Sequence, residues 1–157
     1  MPIVTDITDA LTKIDALVPK ILRGAEVGLA SIAPAVEEAM QTDPVHGDIT
    51  HAAHDSYFAA PLGGAQDGQS RADHAYAVAV ERIADYTKHG LSGLGGHAAR
   101  VEVPPLGAFE RGLMLASPVD YAESLAAEGR SPVLPTLQQF APAMRQAAAD
   151  GIKNERR

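Results

Sequence analysis

The chain contains no cysteine and no tryptophan. The first absence removes disulfides, thiolate nucleophiles and cysteine metal ligands, and it fits a reducing compartment. Aromatic residues make up only 4% of the chain although the apolar fraction is 46%. Much of that apolar content is alanine, which buries little area per residue. A modest core, supplemented by contacts with partners, is therefore expected. No apolar run approaches the roughly 18 residues needed to cross a bilayer. The start, Met1-Pro2-Ile3-Val4-Thr5-Asp6, lacks the basic and apolar regions of a signal peptide, so no membrane partner and no secretion are expected. Positive charge is also scarce: 13 Lys and Arg stand against 20 Asp and Glu, a net charge of −7. Affinity for a duplex rests on neutralising phosphates, so this balance argues against nucleic-acid binding. The basic end, Lys153, Arg156 and Arg157, is too short to reverse it.

What is present reads as one domain spanning 1–157, with a flexible Gly-rich insert around 63–96. Ile7, Leu11, Ile14, Val18, Ile21, Ala25, Leu29, Ile32, Val36 and Met40 recur at three- and four-residue steps, the period of an amphipathic helix. Thr5 or Asp6 can cap it. Pro19 and Pro34 predict kinks or a break, and Gly24 and Gly28 weaken its middle. Such a helix offers more apolar stripe than a small domain can cover, and part of it is expected to meet another subunit. After a turn at 42–48, Asp48 is placed to cap a short helix over 49–56, followed by a strand over 57–62. Gly63 to Ser70 reads as a flexible loop. A helix over 73–87 follows, with Tyr76, Val80 and Ile83 as its stripe, and Lys88 to Gly96 ends it. Arg100 to Val103 and Phe109 to Ser117 read as strands. Asp120 caps a short helix ended by Gly129. Leu134 to Ile152 is the last helix, with Leu137, Phe140, Ala141, Met144 and Ala148 facing inward. The fold class is thus α+β, with long N-terminal and C-terminal helices packed on a small antiparallel sheet.

Few constellations carry chemistry. His51 and His54 share a helix face near Asp48 and Asp55, and such groups can ligate zinc. No recognised metal spacing completes them, and they read as solvated or capping side chains. No serine lies in Gly-x-Ser-x-Gly. Glu37 and Glu38 are adjacent on a helix, point in different directions and read as a solvated face. Gly93-Leu94-Gly95-Gly96 lacks the Lys-Ser/Thr of a phosphate cradle. No catalytic, cofactor-binding or metal residue is assigned, no cofactor is expected, and the chain is read as a non-enzyme. Two alternatives stand beside this: a small metal-dependent hydrolase using His51 and His54, and a dimeric regulator that pairs through its long helix.

The C-terminal half carries a pattern. Met114-Leu115-Ala116-Ser117-Pro118-Val119-Asp120-Tyr121-Ala122-Glu123-Ser124-Leu125, then Glu128-Gly129, then Pro132-Val133-Leu134-Pro135-Thr136-Leu137, resembles the neck, tail-component and tail-completion family of tailed bacteriophages. His46 to Tyr57 resembles that family's Thr-Gly-x-Leu-Arg-x-Ser segment with its identities loosened and its basic residue missing. The likeness runs over roughly 5–152, with a longer insert over 63–96. It implies a structural subunit of the head-to-tail connector: a homo-oligomeric ring, expected to be hexameric. Its implied partners are a head-closure or connector protein on one side and a tail tube or terminator protein on the other. DNA would pass through without specific binding. The implied location is the virion neck, after assembly in the host bacterial cytoplasm. Candidate interface residues are Leu11, Ile14 and Ile21 on the long helix, Tyr121 at the strand-to-helix junction, and Pro135 at the start of the last helix.

Overall fold

The computed structural model describes residues 7–42, 51–62, 67–90, 96–105, 107 and 110–156. In chain order the elements are α1 (Ile7–Thr42), α2 (Ala52–Ser56), β1 (Phe58–Pro61), α3 (Gly68–Lys88), β2 (Leu113–Ala116), α4 (Ala122–Ala127) and α5 (Val133–Glu155). The chain is mostly helical, with long helices at both ends and a small antiparallel pair of strands, which is compatible with α+β.

α1 is one unbroken helix of 36 residues, about 54 Å long at 1.5 Å per residue. Pro19 and Pro34 lie inside it without ending it. Both are exposed, so the carbonyl each leaves unbonded can face water, while Leu29, Ala33, Val36 and Met40 are buried on the opposite side. α5 runs antiparallel along α1 and lies mainly on that helix, not on the sheet as the sequence implied. Three glycines make the crossing close. A Cβ on Gly24 would stand 2.6 Å from Ile152 Cα, and one on Gly28 would stand 2.7 Å from the carbonyl carbon of Ala147. Gly151 is packed in the same way against Gly24. The glycines that weaken an isolated helix are therefore what lets these two backbones touch.

β1 and β2 pair antiparallel, with Phe58 opposite Ala116, Ala59 opposite Leu115, and Ala60 opposite Met114. Alternation sorts their side chains into two clusters. Ala59, Leu113 and Leu115 face the cluster of Ala33, Val36, Met40, Tyr57 and Leu125. Phe58, Ala60, Met114 and Ala116 face Ala72 and Ala75 of α3, with Val101 and Val103 alongside. The buried face of α3 is thus its alanine face. Ile83 of the predicted stripe of Tyr76, Val80 and Ile83 packs against the core. Ala72, Ala75 and Ala79 are buried while Val80 is 43% exposed, so the buried face is displaced around the helix from Val80. Small residues win here because they let α3 approach the sheet closely.

Side chains take the place of missing strands. Ala59 N–H donates to Glu37 Oε2 at 3.2 Å, and the Ala59 carbonyl accepts from Arg71 Nε at 2.7 Å. Arg71 and Glu37 are themselves paired at 2.8 Å. An ion pair thereby satisfies an open strand edge, and Glu37 is half-buried structure, not the solvated carboxylate expected of it. Over Val101 and Val103 the side-chain amide of Gln69 does the same: Nε2 donates to Val101 O at 3.1 Å and Oε1 accepts from Val103 N–H at 3.0 Å. Its partner being a side chain, the predicted strand over 100–103 is extended chain outside any sheet. The second predicted strand shortens to β2, and Phe109 lies outside the described residues.

The insert around 63–96 is chiefly α3, which starts five residues before its predicted start, at Gly68. A side chain at Gly68 would collide with the Pro61 carbonyl, so the first turn of α3 rests directly on the end of β1. Of the flexible loops expected at 63–70 and 88–96, residues 68–70 and 88 belong to α3, while 63–66 and 91–95 lie outside the described residues, as do the proposed caps Thr5, Asp6 and Asp48. α4 ends as predicted at Gly129, with φ of +70°. Asp120 does not cap α4. Its Oδ1 accepts from His97 N–H at 3.0 Å and holds the segment before 100 against the α4 corner.

Candidate functional site

Two regions qualify. The first is the N-terminal half of α1. The last turn of α5 meets α1 near Arg23, whose Nε is 3.5 Å from Glu155 Oε1. The helix before Arg23 therefore extends beyond the partner that covers its later turns. From Leu11 to Lys20 every residue except Val18 is exposed. Leu11 and Ile14 are each 54% exposed and Leu17 38%, three large apolar side chains on one face. Monomers rarely display a contiguous apolar stripe of this kind without covering it. Ile21, nearer the body, is half-buried.

The remaining candidates from the sequence lie apart from this arm. Pro135 is exposed at the start of α5 beside Leu134, which is 61% exposed. Together with Ala126, Gly129, Ser131 and Val133 they line an apolar hollow of about 390 Å³ at the opposite end of the α1–α5 pair. Tyr121 is half-buried and engaged within the chain. Its hydroxyl accepts from Ala53 N–H at 3.1 Å, and its ring lies so close to Gly96 that a Cβ there would sit 2.6 Å from Tyr121 Cδ1. Gly96 has φ of +64°, a backbone state that also favours glycine.

The second region is a polar corner between α2 and α3. His51 precedes α2 with φ of +54°, and the turn this produces brings its ring to 5.7 Å from that of His54, edge to face. One ligand atom from each of His51, His54 and Asp55 lies within 4.8 Å of the others. His54 Nδ1 and Asp55 Oδ1 are 2.8 Å apart, and Arg82 Nε of α3 reaches Asp55 Oδ2 at 2.6 Å. A cavity of about 240 Å³ opens here, lined by His51, Asp55, Arg82, Asp85 and Tyr86. The sequence paired His51 with His54 by spacing. It could not supply Arg82 and Asp85, which come from a helix some 30 residues on.

A third feature escaped the sequence entirely. Glu26 of α1 is 8% exposed and its Oε2 lies 3.5 Å from Arg111 Nε. Its Oε1 is buried without a hydrogen bond among the described residues. The two residues are far apart in the chain and nothing local flags them. Breaking one side of such a pair leaves an uncompensated buried charge, so the pair fixes how the segment before β2 docks on α1. Among the described residues no helix is long and apolar enough to cross a membrane. No family model matches the chain, and neither a curated protein nor a solved structure matches it significantly.

Proposed function

We propose that this chain is a structural subunit that works through its surfaces, assembling with copies of itself in the head-to-tail connector of a tailed bacteriophage. The observation that carries the assembly part is the arm of α1, where Leu11, Ile14 and Leu17 stand exposed on a well-formed helix beyond the end of α5. Covering those three side chains removes apolar area from water at about 25 cal/mol per Å², which favours association. The phage part rests on the motif likeness from Met114 to Leu137. The order it implies, a strand into a short helix closed at Glu128-Gly129 and then a long last helix, agrees with β2, α4 and α5. Net charge supports passage of DNA, because a lining poor in Lys and Arg gives phosphates little to hold, and each added subunit deepens the negative field. In this reading the subunit forms its ring with a head-closure protein on one side and a tail tube or terminator protein on the other.

The test is immunogold labelling of purified particles from the source lysate with an antibody to this chain. Label at the junction of head and tail is the expected result. Particles that lack the chain, or carry it on the capsid surface or the tail fibres, defeat the proposal. A Leu11→Ser, Ile14→Ser double variant that keeps its helical circular dichroism but is excluded from particles would identify the arm as the contact.

A further inference from the structure

We infer that His51, His54 and Asp55 form a binding site for a divalent transition-metal ion of the zinc type. The three ligands sit at positions i, i+3 and i+4 across the start of α2, so one turn of backbone carries all of them on one side. Their candidate ligand atoms already lie within 4.8 Å of one another. Two ligands on a tetrahedral zinc, each about 2.1 Å from the metal, are separated by about 3.4 Å. His54 Nδ1 and Asp55 Oδ1 stand 2.8 Å apart, so side chains must rotate to part that contact as well as to close the wider gaps. The donor set decides the class of ion: two imidazoles and one carboxylate suit zinc, cobalt or nickel, whereas calcium and magnesium demand oxygen ligands.

The surroundings are built for this. Ala52 and Ala53, between the two histidines, are fully buried and Ala53 N–H is held by Tyr121, so the backbone that carries the ligands is fixed before any ion arrives. His51 is exposed while His54 and Asp55 are half-buried, which leaves one open side for access. Asp85 of α3 lines the same cavity, but its Oδ1 is paired with the exposed Lys88 at 3.2 Å, so water is the simpler fourth ligand and Asp85 reaches the ion only where that exposed pair opens. Arg82 is the internal competitor. Its guanidinium occupies Asp55 Oδ2 and must turn outward, which its half-exposed side chain permits. The ion would join α2 to α3 and add to a fold that already stands without it. The site is independent of the proposed assembly role, and either can fail alone.

Calorimetric titration of untagged protein with zinc chloride at neutral pH tests the site. One equivalent binding in the micromolar range is expected, with no comparable heat from calcium. His51→Ala and His54→Ala should each weaken binding by about tenfold or more. His74→Ala and His97→Ala, which alter histidines elsewhere, should leave it unchanged. Arg82→Gln should tighten binding, because it frees Asp55 from its competing cation. Circular dichroism of each variant establishes that it is folded. Absence of micromolar zinc binding, wild-type affinity in folded His51→Ala or His54→Ala protein, weaker binding in Arg82→Gln, or equal affinity for calcium would each overturn the assignment.

Discussion

Gly28→Ala is the sharpest probe of how the two long helices meet. In an open helix this change is stabilising, by about 1 kcal/mol, because alanine loses less backbone entropy. At Gly28 the added methyl would stand 2.7 Å from the Ala147 carbonyl carbon and 3.0 Å from Ala148 Cα, and closer still to the Ala147 oxygen. Those are backbone atoms of α5 and cannot rotate away, so the helices must part. Separating them loosens contacts along the seam through Gly24 and Gly151. Overpacking of this kind costs about 3 kcal/mol at the upper end of its usual range. The difference is a net destabilisation of about 2 kcal/mol, which in a domain of this size lowers Tm by about 4–8 °C. Thermal melts followed by circular dichroism read it directly. Ala149→Gly, on the exposed side of α5, supplies the contrast, since it should cost only the intrinsic difference of about 1 kcal/mol. A Gly28→Ala protein that melts higher than wild type would show that the crossing is open and the reasoning wrong.

Tyr121→Phe removes the acceptor for Ala53 N–H at the start of α2 and should cost about 1 kcal/mol in urea denaturation. Tyr121→Ala, which also empties the ring's place between Gly96 and α2, should cost about 3 kcal/mol; two variants equal to wild type would place Tyr121 outside the packed fold. The His97 N–H hydrogen bond holds the Asp120 carboxyl below its ordinary value of 3.8, with burial opposing it and the His97 side chain adding to it. A depressed carboxylate contributes stability above its unfolded value and loses it as pH falls through the folded one. The deficit of Asp120→Asn against wild type should therefore be constant near neutrality and shrink below about pH 4; a deficit that persists unchanged at pH 2 would refute the link.

The long helices were legible because α1 carries about ten turns of periodic signal and α5 about six, and periodicity needs no partner to be read. The final helix and Gly129 at the end of α4 were legible for the same local reason. Helix continuity through Pro19 and Pro34 was not, because whether a proline breaks a helix depends on what the freed carbonyl faces, and that is a tertiary fact. The strand predicted at Arg100 to Val103 failed for a related cause. Alternation identifies extended chain with one buried face, and that much is true of Val101 and Val103. It cannot tell whether the backbone's partner will be another strand or, as here, the amide of Gln69. The inward face of α3 was right at Ile83 and misplaced at Val80, because hydrophobicity ranks valine and tyrosine above alanine, whereas close approach to β1 selects the smallest side chains. His51 and His54 were visible by spacing, while Arg82 and Asp85 reach the same cavity through the fold alone. The Glu26 and Arg111 pair lay beyond any local rule.

The distribution of exposed apolar residues bears on how the proposed assembly would be built. Gly24 lies against Ile152 and Gly28 against Ala147, so α1 and α5 are antiparallel and their free ends point in opposite directions. Leu11, Ile14 and Leu17 are exposed at one end, and Leu134, Leu137 and Pro135 at the other. A two-fold pairing of arms would cover the first set in both subunits and leave the second set wet in both. A head-to-tail contact, in which the arm of one copy lies on the α4–α5 corner of the next, covers one set with the other at every interface. The corner is hollow and apolar, the shape a protruding row of leucine and isoleucine side chains would fill. Contacts of this heterologous kind close into a ring when the rotation between neighbours divides a full turn, and otherwise run on as a filament. In the proposed assembly such an arm-on-corner contact makes substitutions at Leu11 and at Leu134 equivalent in effect, because each removes one half of the same interface.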